Sequence, residues 1–391
     1  MYESLRLKLE DRWLVELKTE MNSFAKQNRE ELERCQKACE FPSELYREMG
    51  KHGWIGPTTP CDEGGLGGGV PEYCAICEEV ARNGLISPQI SVQGQQWLGT
   101  WGTSEQRKSY LSGIARGELI FAEAISEPGA ASSLKALTTV AEIDGDEFVI
   151  TGRKTHVNLG AQADVLLVYA VVPSDGLTAF LVDASTAGIV RRQTEPIGLR
   201  LLPTAEIDFE AVRVPASSVL GSVGRGLDTF VSTFNISRLG NASELIGMAE
   251  RAMGNAIRYA QDRQVGDHTV AEFQGIQWTI ATAYAKIYGA SLARDAAANI
   301  AEAGGDLAFR TSLAKEMAID AAEYAINECF SLVGSHGLYT DTDYGQLLQD
   351  LKVYRIAGGS LEILKNHIAR SILRSKDLEG LTMSNGETRT R

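Results

Sequence analysis

TVAEIDGDEFVITGRKTHVNLG, residues 139–160, is where the chain changes character. Apolar residues recur there every second position in two runs, and Asp144 and Gly145 stand between the runs as a hairpin signal. Downstream, VLLVYAVV (165–172) and LTAFLVD (177–183) are apolar strand candidates, and TAEIDFEAVRVP (204–215) adds another before Pro215 closes it. Residues 119–228 therefore read as a compact, mostly β domain. On both sides the period returns to that of a helix. Leu5, Leu9, Trp13, Leu14 and Leu17 form a stripe near the start, and further helices are expected near 42–51, 71–83 and 104–116, so residues 1–118 read as a helical domain. Leu239, Ala242, Leu245, Ile246, Ala249, Met253 and Ile257 line one face of a long helix, and segments near 270–301, 308–334 and 346–374 repeat the pattern. Residues 229–375 thus read as a four-helix bundle, and the polar stretch 376–391 as a flexible tail.

The fold class expected is α+β: an N-terminal helical domain, a central β-barrel-like domain and a C-terminal four-helix bundle. With 391 residues, 44% hydrophobic and 23% charged, the composition excludes a disordered or fibrous chain. A formal charge of -13 argues against a nucleic-acid partner, since a phosphate backbone repels it. No run reaches the length of about 20 apolar residues that a membrane span needs. Six scattered cysteines suit a reducing cytoplasm better than a disulfide framework.

Individual motifs are ambiguous. The loop DEGGLGGG (62–69) lacks the spacing of a phosphate-binding turn and reads as a tight interhelical connection. Cys74-x-x-Cys77 falls inside a helix with no second pair, hence half-buried cysteines rather than zinc ligands. The five histidines form no ligand run, and no metal is expected. His156 differs in lying on a strand among polar residues, where it faces either a ligand or solvent. SEPGAASS (126–133) combines hydroxyls with small residues that let a backbone approach a planar or phosphate-bearing ligand, though a plain surface turn looks the same. VGSHGLYTDTD (333–343) interrupts two helices with glycines, as a corner or as an anion-binding turn.

Taken in order, GGLGGG (64–69), GTSEQRKSYLSGIARGELIFAEAISEPGAASS (102–133), FVITGRKTHVNLGAQADVLLVYA (148–170), GLRLLPTAEIDFEAVRVP (198–215), RYAQDR (258–263) and LVGSHGLYTDTDYGQLLQDLKVYRIAGGS (332–360) resemble the acyl-CoA dehydrogenase family. The resemblance runs from about residue 40 to 375. It implies FAD between the β domain and the bundle, across a subunit interface, with an acyl thioester against the flavin. It also implies a homodimer or homotetramer, and an electron acceptor that is a flavoprotein or oxygen. Carried over by position, Ser126 is the hydroxyl that bonds the flavin, His156 stands where a tryptophan usually packs on it, and Asn158 where a threonine or serine contacts it. Ser132 matches a serine near the pantetheine phosphate region. Arg263 matches an arginine reaching a neighbour's FAD diphosphate, although Gly266 and Asp267 replace the usual Phe-Gly. Gly334 and Gly337 match the loop that receives the dinucleotide, and Arg238 and Gly358 fall among substrate-binding positions.

The departure lies in YRIAGGS (354–360), where the family commonly carries Glu-Gly-Thr at Gly358, Gly359 and Ser360. Glycine cannot take a proton. The family's second location for the base reads Ser237 here, a poor base without a basic partner. Glu244, seven residues on, is the candidate proton acceptor if burial raises its pKa; Glu362 is a lesser one, and His156 is a further candidate base or electrostatic partner. The leading expectation is an FAD-dependent dehydrogenase of an acyl thioester on CoA or on an acyl carrier protein, with a displaced proton acceptor. A flavin monooxygenase on the same scaffold needs no such base, and a non-catalytic flavin-binding or structural homologue needs none either. The cations Lys365, Arg370, Arg374 and Lys376, next to His367, suggest a landing place for an acidic carrier.

Overall fold

The computed structural model describes residues 7–130, 133–303 and 307–374. Six helices come first: α1 (Asp11–Gln27), α2 (Arg29–Ala38), α3 (Ser43–Lys51), α4 (Val70–Asn83), α5 (Gln89–Trp101) and α6 (Ser104–Ala115). A seven-stranded sheet follows: β1 (Phe121–Ala124), β2 (Val140–Asp144), β3 (Glu147–Asn158), β4 (Val165–Val172), β5 (Gly176–Asp183), β6 (Ile189–Thr194) and β7 (Thr204–Pro215). Its order is β1-β4-β2-β3-β7-β6, with β5 also paired to β4.

The continuous apolar run of β4 is explained by burial on both faces. Val165, Leu167 and Tyr169 pack with the N-terminal helices, whereas Leu166, Val168, Ala170 and Val172 point into the interior of the curved sheet. The sheet is therefore clamped to the first domain on one side and closed on its own core on the other. The hairpin expected at Asp144 and Gly145 forms between β2 and β3, with Asp144 facing Glu147.

Helices α7 (Gly226–Asp262), α8 (Gln274–Glu302), α9 (Ala308–Val333), α10 (Tyr344–Ile356) and α11 (Leu361–Arg374) build the bundle. Its fourth arm, expected as one helix, is broken into α10 and α11. The break falls at Ala357–Ser360, where Gly358 and Gly359 both adopt positive φ, +66° and +92°. Two consecutive residues in that region end a helix, and only glycine does so without a steric penalty. Alanine lines the facing sides of α7, α8 and α9, so these helices approach closely around a second core.

Candidate active site

The loop after β1 and the bulged end of β3 make the first candidate place. Lys154 is fully buried and pairs with Glu127 at 2.8 Å, while also donating to the carbonyl of Ile125. Glu127 in turn accepts from the backbone N–H groups of Thr138 and Thr139. Those bonds hold its carboxyl down at about 2 even though burial alone pushes it up. The pair fixes the loop against the strand, and Thr155 N–H donates to the carbonyl of Ser126. Strand pairing with β7 slips between Lys154 and Val157, and inside that slip His156 takes a φ of +55°. A non-glycine residue in that conformation is strained, and such strain concentrates at ligand sites. Ser126, His156 and Asn158 all remain exposed.

These residues fit a flavin. A hydroxyl, an imidazole and a carboxamide stand on a stiff rim, two of them on alternate positions of one strand and the third bonded alongside. Ser132 lies outside the described residues.

A second candidate place surrounds the α10–α11 break. Gly358 lies against α7 and α9: a Cβ built there would stand 2.5 Å from Asn241 Nδ2 and 3.1 Å from Lys315 Nζ. Lys315, at 0% exposure on α9, donates to the carbonyls of Ala357 and Gly359 and so ties the break down. Arg238, 5% exposed on α7, donates from Nη1 to Ser312 Oγ at 3.1 Å and lies over the Phe234 ring. His367 Nδ1 meets the same Ser312 hydroxyl at 2.9 Å. Burial pushes the Arg238 guanidinium down to about 10; burial, then the neighbouring Arg238, push Lys315 down to about 7.

Glu244 sits one turn beyond Asn241 on α7, 1% exposed. Its carboxylate accepts from Ser87 at 2.5 Å and from the Tyr354 hydroxyl. Burial raises its pKa to about 8 against the pull of hydrogen bonds from Ser87, Gln89 and Cys77. Both oxygens are thus engaged by the protein. Glu362, by contrast, is exposed on α11.

Arg263 caps the far end of α7 and is exposed. Tyr259, one turn earlier, stacks on His336 between Gly334 and Gly337, so Arg263 and the glycine turn share one end of the bundle. Gly334 has a φ of +58°, and Gly337 is packed under Phe330. The structure therefore gathers the sequence candidates into three places: Ser126 with His156 and Asn158, Arg238 with Gly358, and Arg263 with Gly334 and Gly337. Glu244 stands behind the second of these.

Two expectations change. Cys74 and Cys77 are fully buried rather than half-buried, and burial drives both thiols well up. His367 faces Ser312 instead of joining a surface patch, and Lys376 lies outside the described residues. Lys315, Asn241 and Ser312 escaped the sequence reading; the available signal was a lysine set in the alanine-rich stripe of α9. No group of metal-binding side chains occurs among the described residues, and no described helix is long and apolar enough to cross a membrane.

Comparison with known proteins covers the whole of this architecture. Residues 14–118, 122–212 and 224–373 match the N-terminal, middle and C-terminal domains of acyl-CoA dehydrogenase, respectively. The 3-(aryl)acrylate reductase of Clostridium sporogenes is 31% identical over 90% of this chain and 96% of its own. The caffeyl-CoA reductase-Etf complex subunit CarC of Acetobacterium woodii is 30% identical over 88% and 93%. The solved acyl-CoA dehydrogenase of Geobacillus kaustophilus superposes with a TM-score of 0.87 at 26% identity, covering 93% of this chain and 99% of that one.

Proposed function

The chain belongs to the acyl-CoA dehydrogenase family of FAD-dependent oxidoreductases, and on that premise we propose that it exchanges two hydrogens between FAD and adjacent carbons of an acyl thioester. The thioester is carried on CoA or on an acyl carrier protein. The flavin, when bound, supplies the hydride chemistry at its N5. The observation that carries the proposal is the rim of Ser126, His156 and Asn158, exposed and held rigid by the buried Glu127–Lys154 pair. The Ser126 hydroxyl and Asn158 carboxamide bond the heteroatoms of a planar ring system, and His156 packs against it.

The acyl chain lies at the α10–α11 break, where Gly358 stands at the position to which the family resemblance assigns a glutamate. Glu244 enters as a proton store and not as a group touching the substrate, since Ser87 and Tyr354 hold both of its oxygens. Arg238 and Arg263 are 25 residues apart along α7, about 38 Å by helical rise, so Arg263 stands far from the acyl end of that helix. Arg263, Gly334 and Gly337 therefore hold the dinucleotide of a second copy, in a homodimer or homotetramer. Exposed apolar side chains near that end, among them Val265, Phe273, Leu338 and Tyr339, suit such a contact. Because one relative is named as a subunit of a reductase-Etf complex, the electrons here are exchanged with a partner flavoprotein.

The test is anaerobic. The FAD-loaded protein is mixed with butyryl-CoA, and its dithionite-reduced form with crotonyl-CoA. Bleaching in the first case and reoxidation in the second are expected. Failure to retain FAD, or no response to a panel of thioesters in either direction, overturns the assignment. A flavin that reacts only with oxygen after external reduction points to a monooxygenase instead.

A further inference from the structure

Four cationic side chains are buried among the described residues: Lys154, Arg238, Arg294 and Lys315. Two are neutralised in the ordinary way. Lys154 pairs with Glu127, and Arg294 with both Glu78 and Asp295. Arg238 and Lys315 have no carboxylate partner among the described residues, and Lys315 lies close enough to Arg238 to feel its charge. Two cationic groups brought out of water without a counter-ion either cost several kcal/mol each or shed a proton, the direction in which Lys315 is pushed, and a bound anion would offset that cost.

The donors left over show where the anion goes. Arg238 spends Nη1 on Ser312 and Asn235, whereas Nε is buried without a partner and Nη2 makes no hydrogen bond among the described residues. Nε and Nη2 are the two ends of one guanidinium edge, the fork that receives both oxygens of a carboxylate. Lys315 spends two of its three N–H groups on the carbonyls of Ala357 and Gly359, leaving one. The backbone beside them carries no side chain at Gly358 or Gly359. A Cβ built on Gly359 meets nothing nearer than Phe234 at 3.6 Å and Arg238 Nη2 at 3.7 Å, and Gly358 and Gly359 are both partly open to solvent.

We propose that Arg238 and Lys315 form a carboxylate site at the α10–α11 break, and that the substrate brings in the carboxylate which Gly358 does not supply. The proposal rests on the assignment of this break as the acyl site. The ligand class is an acyl compound with a free carboxylate on or beside the carbons that exchange hydrogen. Two sources share that chemistry: a free 2-enoic acid, and a thioester whose acyl chain carries a second carboxylate.

Binding to the oxidised, FAD-loaded protein is measured anaerobically by calorimetry with two charged-against-neutral pairs, crotonate against its isostere crotonamide and succinyl-CoA against butyryl-CoA. In at least one pair the charged member is expected to bind tenfold or more tightly than the neutral one, and which pair does so identifies the source. Arg238→Gln should reduce that advantage below threefold, with partial recovery in Arg238→Lys, and Lys315→Met should reduce it as well. Equal binding within both pairs overturns the proposal, and that comparison needs no variant to fold. An advantage that survives both Arg238→Gln and Lys315→Met also overturns it. Flavin bleaching is followed in the same samples: normal bleaching by butyryl-CoA without any carboxylate preference removes this site alone. A carboxylate preference with no flavin response to any thioester leaves the site standing and removes the redox assignment.

Discussion

Replacing Gly358 separates the backbone from the charge at the α10–α11 break. Any side chain there must accept a φ of +66°, at a cost of about 1–2 kcal/mol for an L-residue. It must also displace Asn241, whose Nδ2 would lie 2.5 Å from the new Cβ. Gly358→Ala, Gly358→Gln and Gly358→Glu all carry these costs. They differ in what the side chain meets, because the same Cβ would lie 3.1 Å from Lys315 Nζ, with Arg238 in the next turn of the cleft. A carboxylate gains charge-assisted hydrogen bonds of about 1.5–3 kcal/mol, and part of this is lost to its own desolvation. Gly358→Glu is therefore expected to be more stable than Gly358→Gln by about 1–2 kcal/mol, although both fall below the wild type. At roughly 2–4 °C per kcal/mol for a large domain, the gap is several degrees of apparent melting temperature. Thermal melting followed by circular dichroism at neutral pH reads it directly. A Gly358→Glu protein that melts at or below Gly358→Gln would show that Arg238 and Lys315 need no anion, and the argument from uncompensated charge would fail.

Glu244→Gln should remove a component of the pH dependence of stability. The folded pKa of Glu244 is raised to about 8, so its contribution is present below the ordinary carboxylate range and is lost as pH rises through about 8. The wild type should lose stability relative to the variant between pH 5 and 9, by at most about 1.4 kcal/mol per unit, and parallel melting curves would discard the buried-proton assignment. If Glu244 also stores the reaction's proton, the same variant should keep FAD yet slow flavin reduction by roughly 10²-fold, and an unchanged rate removes it from the mechanism. Light scattering should give a dimer or tetramer, and Arg263→Ala should lower FAD retention; a monomer that holds FAD normally contradicts the shared-cofactor arrangement. Lys365, Arg370 and Arg374 are exposed on α11, so an acyl carrier protein thioester should react faster than the CoA ester at low salt, an advantage that salt removes. Equal rates at both salt concentrations exclude the carrier.

The fold was legible wherever one periodicity dominated. The β2–β3 hairpin, β4, β5, β7 and the long bundle helices all show it. What escaped did so for local reasons. Strand β1 has only four residues, and β6, IVRRQT, is an edge strand with arginines and little burial. Helix α5, QISVQGQQWLGTW, buries Gln95, which satisfies itself by accepting from Thr59 and donating to the Ile55 carbonyl. A polar residue on a buried face blurs the helical stripe even when every one of its bonds is made.

The site was legible in its parts and not in their relation. A glycine at 358 can be seen in the sequence, and so can an arginine at 238, but nothing along the chain shows that the two are neighbours. Arg238 and Ser312 are 74 residues apart, and Lys315 and Ala357 are 42 apart. The significance of Lys315 depends on something the sequence does not contain, namely the lack of any described carboxylate within its reach. A buried lysine beside an acid, such as Lys154 beside Glu127, is a structural bolt. A buried lysine beside an arginine and two glycines is half of a binding site, because the missing charge must come from outside the chain. The glycine at 358 and the two cations without a described carboxylate beside it are thus one observation seen from two sides. Without an acidic ligand Arg238 and Lys315 have no counter-charge, and burial pushes both toward their neutral forms. A bound carboxylate would offset the cost of burying them charged, which is what favours a site adapted to an acidic ligand over one that has ceased to work.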